Sequence, residues 1–359
     1  MFGKSELSFE QFVVNFMIDF ALWRKTALAL AIGSVGAMVA FWINMPAPAL
    51  TGPSVAVTIA GLLGLDLAFE TRVRDISFLV IGLSMGTSVT PEVYESAKQW
   101  PFSLVAIVLS VTAAFFFSQL VLKRFWKYDA KTAVLGASPG HLSFVIGLGM
   151  DSGADIRLVA IVQSIRVLAL TLVVPMLVVW SGLAGNGFVV PTEFMILPWV
   201  AVSLALAALV GLGFKKLRVP AAFVLAGMVV SLTTHLSGII EGHMPQWLTL
   251  PALTILGSMI GTRFSGVSWS ELRKAFGAGM AITLVGVFAA VLFAVVLSLF
   301  IDLPIAQLVV AFAPGGVEAM AAMAFALNLD PTFVATHHIA RIFYLSFFVP
   351  LALMWWGKD

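Results

Sequence analysis

The chain has no cysteine in its 359 residues, which excludes disulfides, thiolate metal ligands and cysteine nucleophiles outright. Charge is nearly as scarce. Asp, Glu, Lys and Arg make up 11% of the residues against 60% hydrophobic, and the mean hydropathy is +1.04. A water-soluble surface takes about a quarter charged residues. A soluble globular enzyme and a basic nucleic-acid-binding domain are therefore excluded, and no nucleic-acid partner is expected. Histidine is sparse as well. The five His residues form no His-x-His or Glu-x-x-His cluster, and His337 and His338, adjacent on a predicted helix, point in different directions and make a poor chelate. No metal centre, no resident cofactor and no enzymatic activity are expected.

What the chain does have is long apolar segments. Stretches such as 102–122 and 285–301 fall within the roughly 17–25 residues that span a bilayer. The expected fold class is an all-α polytopic membrane protein with the lipid bilayer as its surroundings. Residues 1–25 carry Glu6, Glu10 and Asp19 among apolar residues, which does not read as a cleavable signal peptide. With Phe9, Phe12, Phe16 and Phe20 spaced along it, 1–24 reads as a helix lying in the interface.

The chain also repeats itself. A shift of 175 residues carries Pro139 onto Pro314, Gly140 onto Gly315, Asp155 onto Asp330, Arg166 onto Arg341 and Pro175 onto Pro350. Upstream it pairs Gly52 with Gly227, Gly82 with Gly257, Gly86 with Gly261 and Thr87 with Thr262. One ungapped offset over this length is the mark of internal duplication. The expected organisation is repeat 1 over 25–180, a neutral linker over 181–193 and repeat 2 over 194–359. Each repeat holds six apolar segments, the fifth crossed by Pro139-Gly140 or Pro314-Gly315.

That fifth segment either spans the membrane or dips in and returns. The positive-inside rule decides. With a cytoplasmic N-terminus and a re-entrant fifth segment, Arg72, Arg74, Lys123, Arg124, Lys127, Lys131, Lys215, Lys216, Arg218, Arg263, Arg273, Lys274 and Lys358 all fall inside. Lys98 alone stays outside. A spanning fifth segment would instead put Lys215, Lys216 and Arg218 outside. Each repeat then has five transmembrane helices and one re-entrant hairpin, so the repeats are expected to be inverted and both termini cytoplasmic. Inverted repeats whose broken segments meet near the midplane characterise secondary transporters.

Arg166 and Arg341 lie 11 residues beyond Asp155 and Asp330, about 16 Å along a helix and too deep to snorkel easily. Such an arginine needs a ligand or a partner. It either binds an anionic substrate through its guanidinium fork, or it serves the structure, by pairing with Glu318 or by donating to carbonyls of the broken helix. The tips contribute Pro139, Gly140 and His141 in one repeat and Pro314, Gly315 and Gly316 in the other. Half-helices starting there offer free N–H groups to an anion. Glu318 and His338 have no counterpart in repeat 1 and are candidates to couple H+ or Na+; their structural alternatives are a permanent Arg341 pair and a helix-turn cap. Asp155 and Asp330 read as N-caps. Thr87, Ser88 and Thr262 either line a pathway or bridge packed helices, and Gly82–Gly86 and Gly257–Gly261 read as helix packing.

The stretch Pro314-Gly-Gly-Val-Glu-Ala-Met320, the Asp that follows, His338-Ile-Ala-Arg341 and Pro48-Ala-Leu-Thr-Gly-Pro53 together resemble the AbrB-type duplicated membrane family. Its members are often labelled "ammonia monooxygenase" or "AbrB family regulator". Repeat 1 departs from the pattern with His141 for the second glycine and Gln163 for the histidine. Through its hairpins the family is similar to sodium–glutamate symporters and to the wider cation/proton antiporter and anion transporter group. That resemblance implies an ion-coupled carrier of a small organic anion, a carboxylate or amino acid. A ligand sensor that influences gene expression indirectly is the alternative. A homo-oligomer is left open.

Overall fold

The computed structural model of the protein describes residues 9–87, 100–140, 142–182 and 193–357. These form helices α1 (Phe9–Trp42), α2 (Pro48–Leu62), α3 (Thr71–Gly86), α4 (Trp100–Phe125), α5 (Ala130–Ala137), α6 (Leu142–Ser152) and α7 (Ile156–Trp180). The second half continues as α8 (Leu197–Lys216), α9 (Ala222–Leu236), α10 (Gln246–Thr262), α11 (Trp269–Ser298), α12 (Ile305–Phe312), α13 (Val317–Ala326) and α14 (Pro331–Trp356). Six of these helices, α1 from Phe20 onward, α4, α7, α8, α11 and α14, are long and apolar enough to cross a membrane. Their outer faces expose Phe102, Leu109, Leu209 and Phe288, an apolar exterior suited to lipid. The protein is an all-α polytopic membrane protein. Helix α1 runs without a break through residues 24–25, so 9–24 belong to the first long helix. The boundary expected at 24 is not a helix end, and most of the linker lies outside the described residues.

Caps and breakers set the bounds. Pro48 opens α2, and the backbone before it turns through a left-handed Ala47. Asp155 accepts from the Leu158 N–H and Asp330 from the Thr332 and Phe333 N–H groups, the N-cap role that their position predicts. From α3 onward the 175-residue shift maps the helices closely. Ala130–Ala137 falls on Ile305–Phe312, and Thr71–Gly86 falls on all of Gln246–Thr262 but its last residue.

Upstream of α3 the shift is 174, which corrects the pairing of Gly52 with Gly227. The left-handed Ala47 recurs as Ala221. Gly82 packs against the Val224 carbonyl as Gly257 packs against that of Leu50, and Gly86 meets Ser231 and Leu232 as Gly261 meets Val57 and Thr58. The α9–α10 loop is one residue longer than the α2–α3 loop, and a loop absorbs such a change where a packed helix does not. Thus α2 crosses α10 and α3 crosses α9, equivalent contacts exchanged between repeats.

Each fifth segment folds as a hairpin of two short helices. The Asp155 N–H donates to Thr132 Oγ1 at 2.9 Å, Gln163 Nε2 to the Leu135 carbonyl at 3.0 Å and Arg166 Nη1 to the Ser138 carbonyl at 3.1 Å. Helix α5 therefore runs parallel to α7. Since α6 ends at Ser152, just before α7 begins, the chain has turned back at Gly140. The second repeat reproduces all three rungs. The Asp330 N–H donates to Gln307 Oε1, His338 Nε2 contacts the Val310 carbonyl at 3.2 Å, and Arg341 Nη1 donates to the Ala313 carbonyl at 2.9 Å.

Candidate functional site

Eight residues of α5, or of α12, advance about 12 Å, so each tip stops within the bundle. The tips meet there. Gly140 turns with φ +86° and lies against the Arg341 guanidinium and the Gly315 carbonyl of the other repeat. Only glycine takes that conformation without strain. A cavity of about 380 Å³ opens beside this junction, lined by Gly140, Gln163, Arg166, Gly315, Gly316, Glu318 and Arg341. Pro220, Ala221 and Arg263 line it as well.

The arginines keep donors in hand. Arg166 and Arg341 are buried at 2% and 1% exposure, and each guanidinium carries five N–H groups. Arg341 donates to the carbonyls of Ala313 and Gly315, and Arg166 to that of Ser138. Among the described residues the Nε of both, and Nη2 of Arg166, have no hydrogen-bond partner. Neither pairs with Glu318, whose carboxylate forms no salt bridge among the described residues. Of the alternatives open in the sequence, carbonyl donation takes part of each guanidinium and leaves the rest free.

Helix α13 starts at this cavity with no side-chain cap at Gly316, which leaves first-turn N–H groups and the positive end of the helix dipole there. Pro139 and Pro314 are buried in the turns and do not line the cavity; the ring of Pro314 fills the space left by Gly286. His141 lies outside the described residues. His338 is fully buried and held on the Val310 carbonyl, away from the cavity wall, with its Nδ1 unpartnered among the described residues. Its counterpart Gln163 does line the cavity.

Arg263 is the residue that sequence reasoning missed. It follows the last residue of α10 and stands exposed at the cavity. The available signal was its position directly after the matched Gly-Thr pair, where repeat 1 has Ser88. The cavity opens toward one end of the bundle. Pro220 and Ala221 follow Lys215, which pairs with Asp75, and Arg263 precedes Ser265, which bonds Leu67. At the same end Arg157 pairs with Glu271 and donates to the Gly266 carbonyl. The opposite end holds Thr87, His243 and the bridge between Phe194 and His243.

A family profile described as "Transition state regulatory protein AbrB" matches residues 50–357. A Bacillus subtilis (strain 168) protein named "Uncharacterized protein YhjN" is 29% identical over 76% of this chain and 75% of its own length. An Escherichia coli (strain K12) protein named "Putative regulator AbrB" is 25% identical over 89% of this chain and 92% of its own. No solved structure matches the chain.

Proposed function

The chain belongs to the AbrB family, and on that footing we propose that it is an ion-coupled secondary transporter of a small organic anion. The observation that carries this reading is the pair of hairpin tips meeting at a cavity where Arg166 and Arg341 keep buried N–H groups with no partner among the described residues. Intramembrane arginines mark substrate pathways, and paired broken segments mark the site of alternating access. Arg341 and Arg166 hold the anion, aided by backbone N–H groups at Gly316 and Gly140. Glu318 faces the anion directly and is the better placed of the two coupling candidates for H+ or Na+. The hairpins are re-entrant in this scheme, the repeats are inverted, and the protein lies in a bacterial inner membrane with both termini cytoplasmic. The cavity then faces the cytoplasm, because it opens at the end that carries Lys215, Arg72 and Arg74.

Two experiments test it. Proteoliposomes containing the purified protein should accumulate a labelled organic anion along a Na+ or H+ gradient, and Arg341→Ala should abolish uptake. On the cysteine-free background, Lys216→Cys should react with a membrane-impermeant maleimide from the cytoplasmic side only; labelling from outside would sink the topology. The regulator names of the family and of its relative favour one second reading, a membrane sensor that binds the same anion and signals to a partner. A sensor binds the anion without moving it across a sealed vesicle.

A further inference from the structure

We propose that the cavity selects a small dicarboxylate and that Arg263 is the residue that recognises its second carboxylate. The inference rests on the carrier reading above and narrows its substrate. Among the described residues that line the cavity, the charged groups are Arg166, Arg263, Arg341 and Glu318. Counted formally, three arginines face one carboxylate, a balance of +2. A zwitterionic amino acid leaves that excess untouched and a monocarboxylate removes half of it. A dianion cancels it, and at the depth of Arg166 and Arg341 an uncompensated charge is expensive.

The charges are also arranged as two poles. Arg166 and Arg341 are buried at the tips, with Nε of both aimed at no protein acceptor among the described residues. Arg263 stands exposed at the end of α10, toward the open end of the same cavity. A guanidinium fork matches a planar carboxylate. One carboxylate at the buried pair and a second at Arg263 use both poles, whereas a compact anion such as phosphate engages only one. Gln163 and Gly140 add neutral parts of the cavity wall.

The test measures binding of succinate and glutarate against butyrate, valerate, glutamate and inorganic phosphate, using purified full-length protein and its Arg263→Gln and Arg263→Lys variants. We expect the dicarboxylates to bind at least about tenfold more tightly than the monocarboxylates, a difference of about 1.4 kcal/mol. Arg263→Gln should reduce dicarboxylate affinity to the monocarboxylate level, lower monocarboxylate affinity far less and melt as the parent does. Arg263→Lys should keep part of the preference. Equal or tighter binding of monocarboxylates, glutamate or phosphate overturns the inference, as does an Arg263→Gln variant that weakens both classes alike. Glutarate that binds with the expected pattern but does not cross a sealed proteoliposome leaves the inference standing and overturns transport. If folded parent protein binds no carboxylate, both fall.

Discussion

A methyl group placed on Gly140 would stand 3.2 Å from Nη2 of Arg341 and 3.7 Å from the Gly315 carbonyl oxygen. The tip of the first hairpin is therefore in contact with the buried arginine of the second repeat. Gly140→Ala should disturb both its own backbone, held at φ +86°, and the aim of that guanidinium. Forcing a non-glycine residue into the left-handed region costs roughly 1–2 kcal/mol. We expect a lower melting temperature and, in the same protein, a loss of anion-induced thermal stabilisation. Unchanged anion response in Gly140→Ala would show that the tip contact does not shape the site.

The two arginines should cost similar amounts when removed. Arg341→Met strips the donor from the Gly315 carbonyl, while the Ala313 carbonyl keeps the Gly315 N–H, and Arg166→Met strips it from the Ser138 carbonyl. A buried acceptor left unsatisfied costs about 1–3 kcal/mol. Each variant should lose about that much stability in denaturant or thermal unfolding. Parent-like stability in either would mean that carbonyl donation is not what holds these side chains.

Gly82→Ala should be poorly tolerated. Its new methyl would lie 2.1 Å from the Val224 carbonyl oxygen, and Gly257→Ala meets the Leu50 carbonyl at 2.2 Å. Backbone cannot rotate away as a side chain can, so we expect each to cost roughly 1–3 kcal/mol through overpacking. Gly213→Ala in α8 is the control. Among the described residues nothing lies within 4 Å of its added methyl, and alanine is the better helix former by about 1 kcal/mol.

Tyr128, in the short connection between α4 and α5, has its phenol pushed up to about 12 by burial, with the Asp155 carboxylate adding to the effect. The fold favours the neutral phenol, so this contribution is fully present below the ordinary value of 10.0 and is lost as pH rises through about 12. Melting temperature should fall more steeply over that window in the parent than in Tyr128→Phe. Parallel curves would remove Tyr128 from the base of the first hairpin as a titrating group.

Much of the fold was legible because its signals are local. Composition alone identifies a chain whose exterior is lipid. Pro139-Gly140 and Pro314-Gly315 break their helices wherever they occur, and Asp155 and Asp330 cap whatever helix follows them. Their common spacing announces the duplication and the equivalence of Arg166 and Arg341. The register of α2 and α9 was not legible. Two glycines, Gly52 and Gly227, coincide under the 175-residue shift, but the contacts that define equivalence, Gly82 with Val224 and Gly257 with Leu50, join segments far apart in the chain.

The site divides in the same way. The sequence by itself determined that two arginines sit deep in apolar helices behind two helix breaks, since burial in a bilayer follows from the residues on either side. Only the tertiary structure decided which of their N–H groups are spent on carbonyls, and that His338 is held on α12 while Gln163 reaches the cavity. Only the tertiary structure brought Arg263 into play, because a residue just past a helix end takes its surroundings from whichever elements the packing sets beside it. Here those are the starts of α9 and α13, and no local pattern in the chain encodes that meeting.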